Sequence, residues 1–140
     1  TDRRKMSKSY GNAINLSEGE ESTRKRVQSM VTDPERIKVT DPGHPDICNV
    51  YSYYKIFSDE KTVKDVYDWC TNAKKGCTDC KKTLASAVVE RMRPIWDRRK
   101  KYATEKGLIE DILKKGRDKA STVARATLAE VKNILNLYKG

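Results

Sequence analysis

The sequence is poor in several residue types: one histidine, one phenylalanine, four prolines and four cysteines in 140 residues. No apolar run reaches six residues, so no transmembrane helix or secretory signal is visible in it. With no sign of export, four cysteines read first as metal ligands or buried thiols, not as a disulfide framework. Leu, Ile, Val and Phe together number 26, under a fifth of the chain, and with a net charge of +10 this approaches the composition of disordered chains. Seven Tyr, three Met and two Trp pull the other way. The expectation is one domain with a thin core, helped by a staple or a partner domain. The chain opens at Thr1 without an initiator Met, the first Met being Met6, which suggests a piece of a longer polypeptide.

Acidic residues are scarce in one region only. Residues 1–80 hold 14 Lys/Arg against 13 Asp/Glu, whereas residues 81–140 hold 16 against 7. The densest stretch, 74–101, has ten basic residues against Asp79, Glu90 and Asp97. Such a segment suits a polyanion, because Lys and Arg replace the counterions of phosphates. On an ideal helix the cations of 81–101 surround the apolar face and form no single stripe, as on a solvated helical surface.

The hydrophobic pattern is helical almost throughout. Residues 1–12 read as an exposed basic loop ending in the turn signal Gly11-Asn12, and 13–16 as a short strand end. Ser17 and Glu20 form a capping-box pattern ahead of a helix over about 18–31, stopped by Asp33-Pro34. Pro34, Pro42, Gly43 and Pro45 mark 32–46 as a connector, in which His44 has no evident role. Val50, Tyr53, Tyr54 and Phe57 define the next helix, and Ser58 can cap a third carrying Val63, Val66, Tyr67 and Cys70. A long helix over about 78–104 presents Leu84, Val88, Met92, Ile95, Trp96 and Tyr102, with Pro94 expected to kink or split it. Gly107 and Gly116 bracket a short helix. A last helix over about 117–138 presents Val123, Leu128, Val131, Ile134, Leu135 and Tyr138. The fold class is all-α, a helical bundle after a short non-helical head, divided at 1–16 and 17–140.

Lys5-Met6-Ser7-Lys8-Ser9, continued by Tyr10-Gly11-Asn12, sets two lysines among small hydroxyl residues on a loop. When a carboxylate attacks the α-phosphate of ATP, negative charge builds on phosphate oxygens, and ammonium groups delivered there stabilise it. Gly11 suits a backbone that must turn or hinge. The five residues 5–9 match the KMSKS signature of class I aminoacyl-tRNA synthetases. With segments 13–17, 29–34, 40–43 and 76–81, the whole chain resembles the bacterial tryptophanyl-tRNA synthetase family from the signature loop onward.

That resemblance implies a parent tryptophan–tRNA ligase that forms tryptophanyl-adenylate and charges tRNA(Trp). Lys5 and Lys8 would be catalytic, and Lys5, Met6, Ser7, Lys8 and Ser9 would contact ATP. It implies Mg²⁺ with ATP, a homodimeric parent in the cytoplasm, a Rossmann catalytic domain ahead of the loop, and a helical anticodon-binding domain after it. No His-x-Gly-His motif and no nucleotide-binding βαβ unit occur in this sequence, so the fragment alone is expected to be inactive and monomeric. Arg91, Arg93, Arg98, Arg99, Lys100 and Lys101 are the candidate RNA contacts, with no membrane or DNA partner expected.

Cys48, Cys70, Cys77 and Cys80 are separated by 21, 6 and 2 residues. A helical hairpin can return Cys48 beside Cys70 and the Cys77-x-x-Cys80 turn. Four thiolates suit tetrahedral Zn²⁺ or a 4Fe–4S cluster. Some members of the resembled family carry a 4Fe–4S cluster near the anticodon-binding region, their first gap being one residue longer. The competing reading is a free-standing iron–sulfur or zinc RNA-binding helical module.

Overall fold

The computed structural model describes residue 2 and residues 4–137. Among the described residues, regular structure is entirely helical: α1 (Glu20–Gln28), α2 (Asn49–Phe57), α3 (Glu60–Thr71), α4 (Cys77–Thr104) and α5 (Leu108–Ile134), with single 3-10 turns at Lys8–Tyr10 and Pro45–Ile47. The chain forms two compact units, Thr1–Arg99 and Lys100–Gly140, and α4 runs across the boundary.

In the first unit the helical period sorts residues into a small core. α2 buries Val50, Tyr51 and Tyr54, α3 buries Val66, and α4 buries Leu84, Ala85, Val88, Val89 and Met92. Val27 of α1, Met30 just beyond it and Cys48 join the core, while Val31 and Tyr67, the latter expected on the apolar face with Val63 and Val66, are exposed. Polar ties reinforce the packing. The Tyr54 hydroxyl donates to the Cys80 carbonyl (2.7 Å), fixing α2 to α4. Lys81 Nζ donates to the Gln28 carbonyl at the end of α1 (3.0 Å), satisfying an acceptor the helix cannot pair itself. Trp96 Nε1 reaches the Leu16 carbonyl (3.1 Å), binding α4 to the head.

In the second unit α5 buries no residue. Its apolar positions Ile109, Ile112, Leu113, Val123, Leu128, Val131 and Ile134 are all exposed. Tyr138, counted with this face from the sequence, lies outside the described residues.

Several local expectations are corrected. No strand forms at 13–16 among the described residues; Glu18 N–H closes a turn onto the Asn15 carbonyl (3.2 Å). A four-residue segment with no partner strand has no ladder to join. The capping box does not form either, because Gly19 is the N-cap of α1. The Glu18 carboxylate instead accepts from Asn15 and Ser22. α3 is capped by Asp59, not Ser58: its carboxylate accepts from Thr62 N–H (2.7 Å), and its charge also favours a helix N-terminus.

α4 passes unbroken through Pro94, and α5 passes through Gly116. One interior glycine costs only about 1 kcal/mol, which a 27-residue helix absorbs. The glycine that matters is Gly107, left-handed at φ 80° where α5 begins.

Candidate functional site

The head segment carries the two lysines. Residues 8–10 make one 3-10 turn, in which Tyr10 N–H donates to Ser7 O and Gly11 N–H to Lys8 O (both 3.2 Å). Gly11 then turns left-handed at φ 62°, where a side chain would be strained. Ser7 and Ser9 hydroxyls share a hydrogen bond of 2.8 Å. Lys5, Met6, Lys8 and Ser9 are exposed, so both ammonium groups stand in solvent at the surface of the turn. Arg26 of α1 donates to the Gly11 carbonyl and lies 3.7 Å from Glu18, tying the turn to the first helix.

All four cysteines line one recess, together with Arg36, Asp33 and Trp69. The recess has an empty volume of about 360 Å³, its opening to solvent included. The four thiols are free. Cys48 precedes α2, Cys70 lies in the last turn of α3, and Cys77 and Cys80 form the first turn of α4. The end of α3 explains how Cys70 and Cys77 come together. Lys74 N–H returns to Trp69 O (2.9 Å) and Ala73 N–H to Cys70 O (3.3 Å), with Ala73 left-handed at φ 51°. This is a Schellman closure that reverses the chain within a few residues.

Burial pushes the Cys80 thiol up to about 11 and also raises Cys70; the other cysteines of the recess add to both shifts, and Arg36 opposes the rise at Cys70. The sulfurs do not close as tightly as expected. Among the described residues, the one set of at least three metal-binding side chains whose ligand atoms all lie within 4.8 Å is Asp33, Glu35 and His44. Tetrahedral zinc needs sulfurs about 3.8 Å apart, given Zn–S bonds of about 2.3 Å.

The connector supports this recess. Gly43 N–H donates to the Cys70 carbonyl (2.9 Å), and a β-carbon on Gly43 would lie 2.5 Å from the Cys70 sulfur, so glycine leaves the room that sulfur occupies. Arg36 sets Nη1 at 4.0 Å from the Cys77 sulfur and donates Nη2 to Val39 O (2.6 Å) and Lys75 O (3.1 Å). His44, read as having no role, is a structural tie. Its backbone N–H (2.7 Å) and its Nδ1 (3.0 Å) both meet the Asp33 carboxylate. Burial pushes that carboxyl up, but hydrogen bonds from Glu35 and His44 outweigh it and hold it below its ordinary value. Sequence spacing could not disclose this pair, because it depends on the connector folding back over eleven residues.

The candidate RNA cations Arg91, Arg93, Arg98, Arg99, Lys100 and Lys101 are all exposed on α4. Arg93 is paired with Glu20 at 3.4 Å.

Similarity to known proteins gives the family of this lysine turn and the helical body behind it. The family model described as tRNA synthetases class I (W and Y) matches residues 1–93, and the chain belongs to that family. Within it, the similarity is to the tryptophan branch. The tryptophan–tRNA ligase of Thermotoga maritima is 41% identical over 138 residues, 98% of this chain and 42% of that protein. The crystal structure of tryptophanyl-tRNA synthetase from Campylobacter jejuni matches with a TM-score of 0.86 at 26% identity, over 98% of this chain and 44% of that one. A second structure of that enzyme, complexed with ADP and tryptophan, also gives 0.86, over 97% and 42%. The chain therefore spans well under half the length of the relatives it matches. Among the described residues, no helix is long and apolar enough to cross a membrane.

Proposed function

We propose that this chain is the part of a cytoplasmic tryptophan–tRNA ligase that brings the signature lysines to ATP and carries the anticodon-binding helices. The observation that carries this reading is the exposed turn holding Lys5 and Lys8, in a chain 41% identical to a tryptophan–tRNA ligase across nearly its whole length. In the reaction a tryptophan carboxylate oxygen attacks the α-phosphorus of ATP, the bond to the bridging oxygen breaks, and pyrophosphate leaves as tryptophanyl-adenylate forms. A terminal ribose hydroxyl of tRNA(Trp) then attacks the acyl carbon, and AMP departs. Lys5 and Lys8 would meet the phosphates and offset the charge gathered on their oxygens in the transition state, and Ser7 and Ser9 would shape the turn around them. Mg²⁺ entering with ATP supplies further positive charge.

For the cysteine recess the proposal is a 4Fe–4S cluster, with zinc as the alternative. The lining of the recess offers four thiols, and a cubane gives each sulfur its own iron. Cys48, Cys70, Cys77 and Cys80 would hold it, tying α2 and α3 to the start of α4 and adding binding free energy to a thin core. Exposed Arg91, Arg93, Arg98, Arg99, Lys100 and Lys101 offer the phosphate contacts to tRNA.

The test uses the full-length parent polypeptide. Amino-acid-dependent exchange of pyrophosphate into ATP should occur with tryptophan and not with tyrosine. Exchange with tyrosine alone would transfer the protein to the other branch of the family. Iron and sulfide should accompany an anaerobic preparation; zinc alone would replace the cluster, and neither would remove the metal role.

A further inference from the structure

The lysine turn is organised from outside its five signature residues, by a buried carboxamide. Asn12 is only 3% exposed, although it lies next to an exposed loop. Its Oδ1 accepts from Ser7 N–H (2.9 Å), at the middle of the signature. Its Nδ2 donates to the Asp2 carboxylate (2.7 Å) and reaches the Lys5 carbonyl at 3.4 Å. One planar group therefore grips the loop ahead of the first lysine, at that lysine, and between the two lysines. Asp2 is steadied in turn by Arg4, whose guanidinium meets it at 2.7 Å and lies 4.7 Å from the centre of the Tyr10 ring. The hydrogen bond from Asn12, followed by those from Arg4, holds the Asp2 carboxyl well below its ordinary value, so it is an anion at neutral pH.

We propose that Asn12 is a positioning residue for the adenylation step, its carboxamide fixing the backbone of Lys5–Ser9 so that both ammonium groups are presented together. This rests on the ligase reading above. The chemistry requires an amide at position 12: the group must accept at one end and donate at the other. Alanine supplies neither bond. Aspartate keeps the acceptor for Ser7 but sets a carboxylate against that of Asp2, which makes it worse than alanine. An exchange of the two residue types, Asp2→Asn with Asn12→Asp, restores a donor–acceptor pair between them. The pair loses the contact with Lys5 O, the hydrogen bond that Asp2 Oδ1 accepts from Arg4 N–H, and the charge that meets Arg4. Interacting positions of this kind show as non-additivity in a double-mutant cycle.

The experiment uses the full-length parent with three variants: Asn12→Ala, Asn12→Asp, and the Asp2→Asn/Asn12→Asp pair. Exchange of pyrophosphate into ATP separates kcat from the KM for tryptophan, and amide hydrogen exchange follows the Ser7 N–H. Expected are a loss in kcat of about 100-fold for Asn12→Ala, the scale of misplacing a catalytic group by about 1 Å, with the KM for tryptophan unchanged. Asn12→Asp should lose more, and the pair should recover at least tenfold over it. The Ser7 amide should exchange faster in both single variants and slow again in the pair, at an unchanged thermal midpoint. Unchanged Ser7 exchange in Asn12→Ala would overturn the hub. So would faster Ser7 exchange with kcat intact, or a pair no better than Asn12→Asp. A parent without tryptophan-dependent exchange would overturn the ligase reading instead, and Ser7 protection would still decide whether Asn12 holds the loop.

Discussion

α4 and α5 carry the same kind of amphipathic pattern and meet opposite fates. Leu84, Val88 and Met92 recur at four-residue spacing and are at most 6% exposed. Leu128, Val131 and Ile134 recur at three-residue spacing and are 53%, 43% and 79% exposed. Periodicity declares which face of a helix seeks cover; burial depends on whether α1, α2 and α3 are there to supply it. The stability of the chain is accordingly concentrated in its first unit.

Substitutions should separate the two helices. Leu84→Ala should destabilise by about 2–5 kcal/mol in denaturant unfolding, the range for a fully buried leucine. Leu128→Ala should change stability by less than about 0.5 kcal/mol, as exposed positions do. Equal effects would erase the contrast. Tyr54→Phe keeps the ring in the core but removes the hydroxyl that donates to the Cys80 carbonyl. The Cys80 carbonyl keeps its partner within α4, so the cost should be about 0.5–1.5 kcal/mol, the range for one hydrogen bond.

A smaller effect concerns pH. Hydrogen bonds from the Thr62 backbone and side chain hold the Asp59 carboxyl below its ordinary value. A depressed carboxyl stabilises the fold above its unfolded pKa, and that contribution is lost as pH falls through the folded value. The thermal midpoint of Asp59→Ala should therefore lie below that of wild type at pH 7, with the gap closing toward pH 3. A constant gap would assign the effect to something other than the charged cap. Smallest is Gly116→Ala, where an added β-carbon meets open space. It should slow amide exchange along α5 by an amount equivalent to up to about 1 kcal/mol, leaving exchange in α2 and α3 unchanged.

What was legible in the sequence was local or periodic. The lysine signature is contiguous, so its residues needed no fold to be recognised, and the four cysteines could be joined by one helical hairpin. Core positions such as Val50, Tyr54, Val66, Leu84 and Val88 followed from helical spacing. What escaped depends on chain reversal. Asn12 reaches back ten residues to Asp2, His44 eleven to Asp33, and Arg36 forty-one forward to Cys77. The missed caps have a different origin, since Ser17 and Ser58 offered the expected residue types but Gly19 and Asp59 hold the positions where the helices begin. Gly116 misled because a glycine breaks a helix only when the apolar pattern also stops there.

The most direct measurement is single-turnover adenylate formation by the full-length parent carrying Lys8→Ala, with tryptophan and ATP saturating. The rate should fall by about 10²–10³-fold, the scale for removing one preorganised charge donor from a transition state. The thermal midpoint should stay at the wild-type value, because Lys8 is exposed and buries nothing. An unchanged rate would contradict the assignment of the signature turn to the chemical step.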